Sequence, residues 1–124
     1  MGKNIGLKDG KLNDCPSSPN CVCSQAKDVG HQIAPLSFSG DLKAAQSRLK
    51  KILQILPRTH FVREESHYWH VEFTTALLKF VDDVEFLFTP GANQIQIRSA
   101  SRLGHGDLGT NRRRMEDIRQ RFKN

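Results

Sequence analysis

The residues able to do chemistry concentrate in one stretch, Ile95 to Phe122, which reads IQIRSASRLGHGDLGTNRRRMEDIRQRF. Arg98, Ser99, Ser101, Arg102, Asp107, Asn111 and Arg112 fall within it. A guanidinium offers a planar fork of donors that matches carboxylate and phosphate oxygens. Hydroxyls and a carboxamide add neutral donors and acceptors, and a helix start adds free backbone N–H groups. This composition predicts a polar site for a small carboxylate or phosphate, with Ser99, Ser101, Asp107, Asn111 and Arg112 at its centre. Arg98 and Arg102 join them from the neighbouring face. The stretch holds no catalytic signature and no cofactor motif, so the expected role is binding rather than catalysis.

A second constellation is Cys15-Pro-Ser-Ser-Pro-Asn-Cys21-Val-Cys23. Cys15 and Cys21 can close a small disulfide loop, and Cys23 stands near enough to exchange with it. Plain thiols in a tight turn would look the same in sequence. A thiol nucleophile for redox or hydrolytic chemistry needs a base, and no spacing singles out His31, His60, His67 or His70. Zinc fits poorly, because structural zinc sites pair thiols two to four residues apart and need a second ligand pair. No metal is expected.

The elements that must position the first constellation follow from periodicity. Ile95, Ile97, Ser99 and Ser101 alternate onto one face of a strand, while Gln96, Arg98, Ala100 and Arg102 take the other. The isoleucines mark the core side. Gly104, Gly106 and Gly109 allow a sharp turn, and Asp107 or Thr110 is suited to cap the following helix. Helical periodicity puts Leu108, Met115, Ile118 and Phe122 on one face. It sends Arg113, Arg114 and Arg121 to the solvated far side, with Asn111 in mid-face and Arg112 at its edge pointing toward the sheet.

Residues 1–40 carry Pro16, Pro19, Pro35 and five of the nine glycines, and read as an irregular arm wrapping the same domain. Residues 41–124 read as an α-β-β-β-β-α core. Leu42, Ala45, Leu49, Ile52 and Leu56 recur at helical steps behind the cap Asp41, and Pro57 follows the helix. Strands are expected over Thr59–Glu64, His67–Leu77, Val84–Thr89 and from Gln94 onward. Turns are expected at Glu65-Ser66, Asp82-Asp83 and Pro90 to Asn93. Trp69, Val71 and Phe73 form one apolar row and Val84, Phe86 and Phe88 another, both facing the helices. The opposite rows carry His70, Glu72, Glu85 and Arg98, a charged ladder of cross-strand pairs that would also suit an acid–base role for His70 with Glu72. The fold class is α+β: a four-stranded antiparallel sheet packed on one face by two helices.

A chain of 124 residues suits one domain. Hydrophobic content of 37% against 26% charged is that of a soluble protein, and no apolar run approaches the roughly 18 to 20 residues of a membrane helix. The start, MGKNIGLKDGKL, lacks a signal-peptide core, so a cytoplasmic location is expected. From Arg98 onward eight Lys or Arg face three acids, a balance of +5 within a net charge of +6. Nucleic acid is an unlikely partner nonetheless, because no aromatic residues interleave with the arginines as stacking platforms.

Three motifs in order, CPSSPNCVCS, FVDDVEF and RSASRLGHGDLGTNRRR, resemble the bacterial and plastid family called domain of unknown function 1499. The resemblance spans nearly the whole chain. It implies a shared fold and no established activity. Two positions depart from the family pattern: Cys23 stands where serine is usual, and His105-Gly106 where Tyr-Ser is usual.

Overall fold

The computed structural model describes residues 4–103 and 109–123. The arm contributes a short hairpin, β1 (Leu7–Lys8) and β2 (Lys11–Leu12), then β3 (Cys21–Cys23) and β4 (Leu36–Ser37). Helix α1 (Leu42–Ile55) leads into β5 (Thr59–Glu64), β6 (Tyr68–Thr74), β7 (Val81–Phe88) and β8 (Gln94–Ser101), and α2 (Thr110–Lys123) closes the described chain. The α+β class and the two helices are as expected.

The main sheet, however, has six strands rather than four. It runs β3-β8-β7-β6-β5, and β4 also pairs with β8, every pairing antiparallel. Strand β8 would otherwise be an edge, with a row of open N–H and C=O groups. Two pieces of the arm cover it: Val22 lies opposite Ser99, and Leu36 opposite Ile95. The arm is therefore part of the sheet, which proline and glycine content alone conceals.

The β6–β7 connection also differs from expectation. Asp82 and Asp83 lie inside β7, opposite Phe73 and Glu72, and the chain turns through Thr75–Phe80. Adjacent aspartates are ordinary turn residues. Here both are buried and neutralised by partners from distant parts of the chain.

The apolar rows face the helices. Ala45, Leu49 and Leu53 of α1 and Met115, Ile118 and Phe122 of α2 pack on Trp69, Val71, Phe73, Val84, Phe86, Phe88, Ile95 and Ile97. Each such large side chain contributes about 1.5–3 kcal/mol of burial. The Trp69 ring meets Phe61, Phe86 and Phe88 edge-on, the last at 4.7 Å between centroids. Asp41 caps α1 by accepting from the Ala44 N–H, and Arg48 spans to α2, stacking over Phe122 and donating to its carbonyl.

The second face is covered as well. The β1–β2 hairpin and the segment through Ala26 lie across it, with Leu12, Cys23, Ala26, Tyr68 and Leu87 forming a small apolar cluster. Cys15 and Cys21 are joined in a disulfide with Cα atoms 5.7 Å apart, inside the usual range. It staples the arm's loop to β3. Chain-entropy reasoning for so short a loop gives about 2 kcal/mol. Replacing Cys15 and Cys21 together with Ser should therefore lower unfolding stability by about 2 kcal/mol in urea titration, with the circular dichroism spectrum of the folded state retained.

Candidate functional site

Of the seven residues expected to form one site, the four in or just beyond β8, Arg98, Ser99, Ser101 and Arg102, divide between its two faces. Ser99 points to the helix side, where it is fully buried, and its hydroxyl donates to Asn111 Oδ1 at 2.6 Å. Asn111 Nδ2 in turn donates to the Asn20 carbonyl at 3.1 Å and to Ser101 Oγ at 3.0 Å. Arg114 completes the knot: its Nη1 reaches Asn111 Oδ1 at 2.9 Å, its Nη2 pairs with Asp82, and its guanidinium stacks over Phe73. Asn20 closes it from the arm by donating to the carbonyls of Ser101 and Leu103. These groups satisfy one another and join helix, sheet and arm.

Two assignments on α2 are therefore corrected. Arg114, expected in solvent, is mostly buried, whereas Arg112, expected to face the sheet, is exposed and donates to the carbonyls of Gln32 and Gly30. The buried stripe of the described helix is Asn111, Met115, Ile118 and Phe122, and Arg114, one turn on from Asn111, lies at its inner edge. Thr110 is the first helical residue, and the Gly109 carbonyl, at a glycine with φ +82°, accepts the first helical bond from Arg113. Asp107, like Gly104, Gly106 and Leu108, lies outside the described residues. The other α2 arginines are also engaged: Arg119 clamps the carbonyls of Ala34 and Pro35 and pairs with Glu116, and Arg121 pairs with Asp117.

The opposite face carries a buried charged layer. Glu85, with no exposure, faces Arg98, which is 1% exposed, at 3.3 Å. The same carboxylate accepts from the Tyr68 hydroxyl and from the Gly6 N–H at 2.9 Å. Gly6 has φ +101°, a backbone state that favours glycine, and it places this N–H over the sheet. Burial, and then the ionised Glu85 beside it, push the Tyr68 phenol well above its ordinary range. Arg98 Nη2 reaches the Asp14 carbonyl at 3.3 Å, while its Nε has no partner among the described residues.

His70 pairs with Asp83 rather than with Glu72, Nε2 lying 2.8 Å from Asp83 Oδ1. A carboxylate only accepts, so the imidazole proton on that side is on Nε2. Nδ1 is buried with no partner among the described residues. Arg102 holds both Asp83 oxygens at 2.9 and 3.0 Å and reaches Glu72 with the same Nη2. Burial raises the Asp83 pKa, but hydrogen bonds from His70 and Arg102 outweigh it and hold the carboxyl at about 2. The opposite row thus forms cross-strand charge pairs, and the alternative partnership of His70 with Glu72 gives way to His70–Asp83 and Arg102–Glu72.

An open cleft of about 270 Å³ lies over this layer. Arg98, Ala100, Ser101 and Arg102 of β8 and its end, Asp83 of β7, and Pro16, Ser18 and Asn20 of the disulfide loop line it, with Asn4 and Ile5. It brings together three of the seven expected residues, Arg98, Ser101 and Arg102, and leaves Ser99, Asn111 and Arg112 in supporting contacts. Asp83 and Asn20 were not singled out from sequence. Alternation running back from Val84 and Phe86 would have put Asp83 beside Glu85, but nothing local signals Asn20.

Cys23 is buried beside the bridge, its sulfur contacting the Asn13 carbonyl at 3.7 Å, and burial pushes its thiol up from the ordinary value. Such a thiol is a poor nucleophile at neutral pH. Among the described residues, no three His, Cys, Asp or Glu side chains come together as metal ligands would.

The family model described as a protein of unknown function (DUF1499) matches residues 11–122. The chain belongs to this family. No curated protein and no solved structure matches it. Membership in DUF1499 confirms the resemblance carried by the three motifs, all of which bear on the charged layer or the knot: CPSSPNCVCS holds Asn20, FVDDVEF holds Asp82, Asp83 and Glu85, and the C-terminal motif runs from Arg98 to Arg114. No helix among the described residues is long and apolar enough to cross a membrane.

Two measurements test the charged layer. Removing one partner of a buried pair leaves the other uncompensated, so Glu85→Gln should cost about 3–5 kcal/mol in urea unfolding, whereas Glu85→Met with Arg98→Met should recover most of it. For Asp83 the folded pKa is depressed from 3.8 to about 2. Its stabilisation is therefore complete above the unfolded value and is lost as pH falls from about 4 through 2, an effect on the order of 2 kcal/mol. The stability gap between wild type and Asp83→Asn should narrow across that window and stay constant above it.

Proposed function

We propose that this chain is a non-catalytic binding or accessory domain whose ligand site is the cleft between the disulfide loop and the end of β8. Its ligand is a small molecule carrying a carboxylate or phosphate. One observation carries the assignment: Arg102, partly exposed on the cleft wall, keeps a spare donor after its carboxylate partners are counted, using Nε and Nη2 on Asp83 and Glu72 and leaving Nη1 without a partner among the described residues. Asp83, Glu85 and Glu72 offset the arginine charges, so recognition rests on directed donors rather than on a net positive field. Ser18, Ser101 and Asn20 supply neutral polar groups for the rest of the ligand.

A redox role for the Cys15–Cys21 pair is the second proposal, supported by the formed bridge. It bears on location, because a lasting disulfide belongs to an oxidising compartment rather than to the cytoplasm. Hydrolytic chemistry gains no support, since two thiols are bonded and the third is buried and held protonated. Nucleic-acid binding through α2 is also disfavoured, because Arg112, Arg114, Arg119 and Arg121 are committed to protein partners.

Titration with a panel of small carboxylates and phosphates at constant ionic strength, read by calorimetry, tests the cleft. Ala100 lines it without taking part in an ion pair, so Ala100→Leu should weaken binding by about tenfold or more, about 1.4 kcal/mol, and leave the folded spectrum unchanged. If no panel member binds the wild type above the salt control, the cleft is not an anion site.

A further inference from the structure

Seven large hydrophobic side chains are exposed among the described residues, and five of them sit at one end of the domain: Ile55, Leu77, Leu78, Phe80 and Leu103. Backbone bonds bring these parts together. The Arg58 carbonyl just beyond α1 accepts from Thr74 at the end of β6, Thr75 and Phe80 close the β6–β7 turn, and Arg102 donates to Val81. The tip of that turn is the most exposed apolar segment, with Leu77 at 92% and Leu78 at 70%. Leaving consecutive leucines in water is unfavourable, and a concentrated apolar surface of this kind marks an interaction site.

The charge around the tip selects the partner. Lys51, one helical turn before Ile55, and Arg58 and Lys79 beside the turn make no ion pair among the described residues. The carboxylates at this end, Glu72, Asp82 and Asp83, are already held by Arg102 and Arg114. Lys79 has φ +55°, a conformation glycine adopts without strain, so the turn itself does not call for a long basic side chain there. Apolar side chains at a protruding tip, ringed by unpaired cations, match the order of layers at an anionic bilayer: acyl chains inside, phosphates above them. Leu77 and Leu78 are adjacent and both project from a narrow turn. A fluid apolar phase surrounds such a tip from all sides, whereas one rigid protein surface does not.

We infer that this end of the domain docks on anionic lipid bilayers, with Leu77, Leu78 and Phe80 entering the interface and Lys51, Arg58 and Lys79 resting on the headgroups. The association is peripheral and reversible, and it weakens as added salt screens the cations. Cosedimentation of the full chain with vesicles of phosphatidylcholine plus phosphatidylglycerol, against phosphatidylcholine alone, tests it. Wild type is expected to partition onto the anionic vesicles only. The double substitution Leu77→Ser with Leu78→Ser should reduce that partitioning by about tenfold or more. Both sites are exposed, so the circular dichroism spectrum should not change. A Leu77→Trp variant should show blue-shifted tryptophan emission on the anionic vesicles, which reports insertion independently. No partitioning by wild type overturns the inference, as does partitioning that the double substitution leaves intact, which would mean adsorption through charge elsewhere. A native mass spectrum in which wild type is dimeric and the double variant monomeric would overturn it too, because a second copy would then cover the tip.

Discussion

Glu85 is an acid sealed from water, and the layout of the second sheet face follows from keeping it charged. An isolated buried carboxylate is far too costly to survive, so it must be paired and hydrogen-bonded. Arg98 supplies the charge from β8, Tyr68 a hydroxyl from β6, and Gly6 a backbone N–H from the arm. The arm is thus more than a cover over the sheet. Its glycine is one of the ligands of the buried anion, which gives a segment with little secondary structure of its own a definite seat.

The knot around Asn111 does the equivalent work on the helix side. Its members come from four places in sequence: Asn20 in the arm, Asp82 in β7, Ser99 and Ser101 in β8, and Asn111 and Arg114 in α2. A buried polar network of this kind is favourable when its members satisfy one another, and it then fixes a single arrangement of the elements it joins. Here it sets where α2 starts relative to the end of β8. The cleft beneath the disulfide loop shares Asn20 and Ser101 with the knot and Asp83 and Arg98 with the charged layer. Any ligand in the cleft would sense both.

Much of the framework was legible in the chain. Helical spacing located α1 and its Asp41 cap, and period-two alternation located the apolar rows of β6, β7 and β8, because those patterns are local and their periods differ. Ser99 and Asn111 were identifiable as polar residues on apolar faces, and they do meet. The arm's strands were not legible. Cys21–Cys23 and Leu36–Ser37 are too short to show alternation, and they become strands only because β8 offers an open edge. The Asp-Asp pair misled for a related reason: in isolation it favours a turn, and it enters a strand only where arginines remote in sequence neutralise it.

By itself, then, the sequence determined the two helices, the four strands of the core, the apolar rows and the inventory of charged and sulfur-bearing groups, all of which depend on spacing along the chain. Only the tertiary structure decided which groups meet: that Arg114 and not Arg112 turns inward, that His70 takes Asp83, that Arg98 takes Glu85, and that Cys15 closes on Cys21. Pairing energies depend on separation in space and on exclusion of water. Neither exists until the arm, the sheet and the helices have come together.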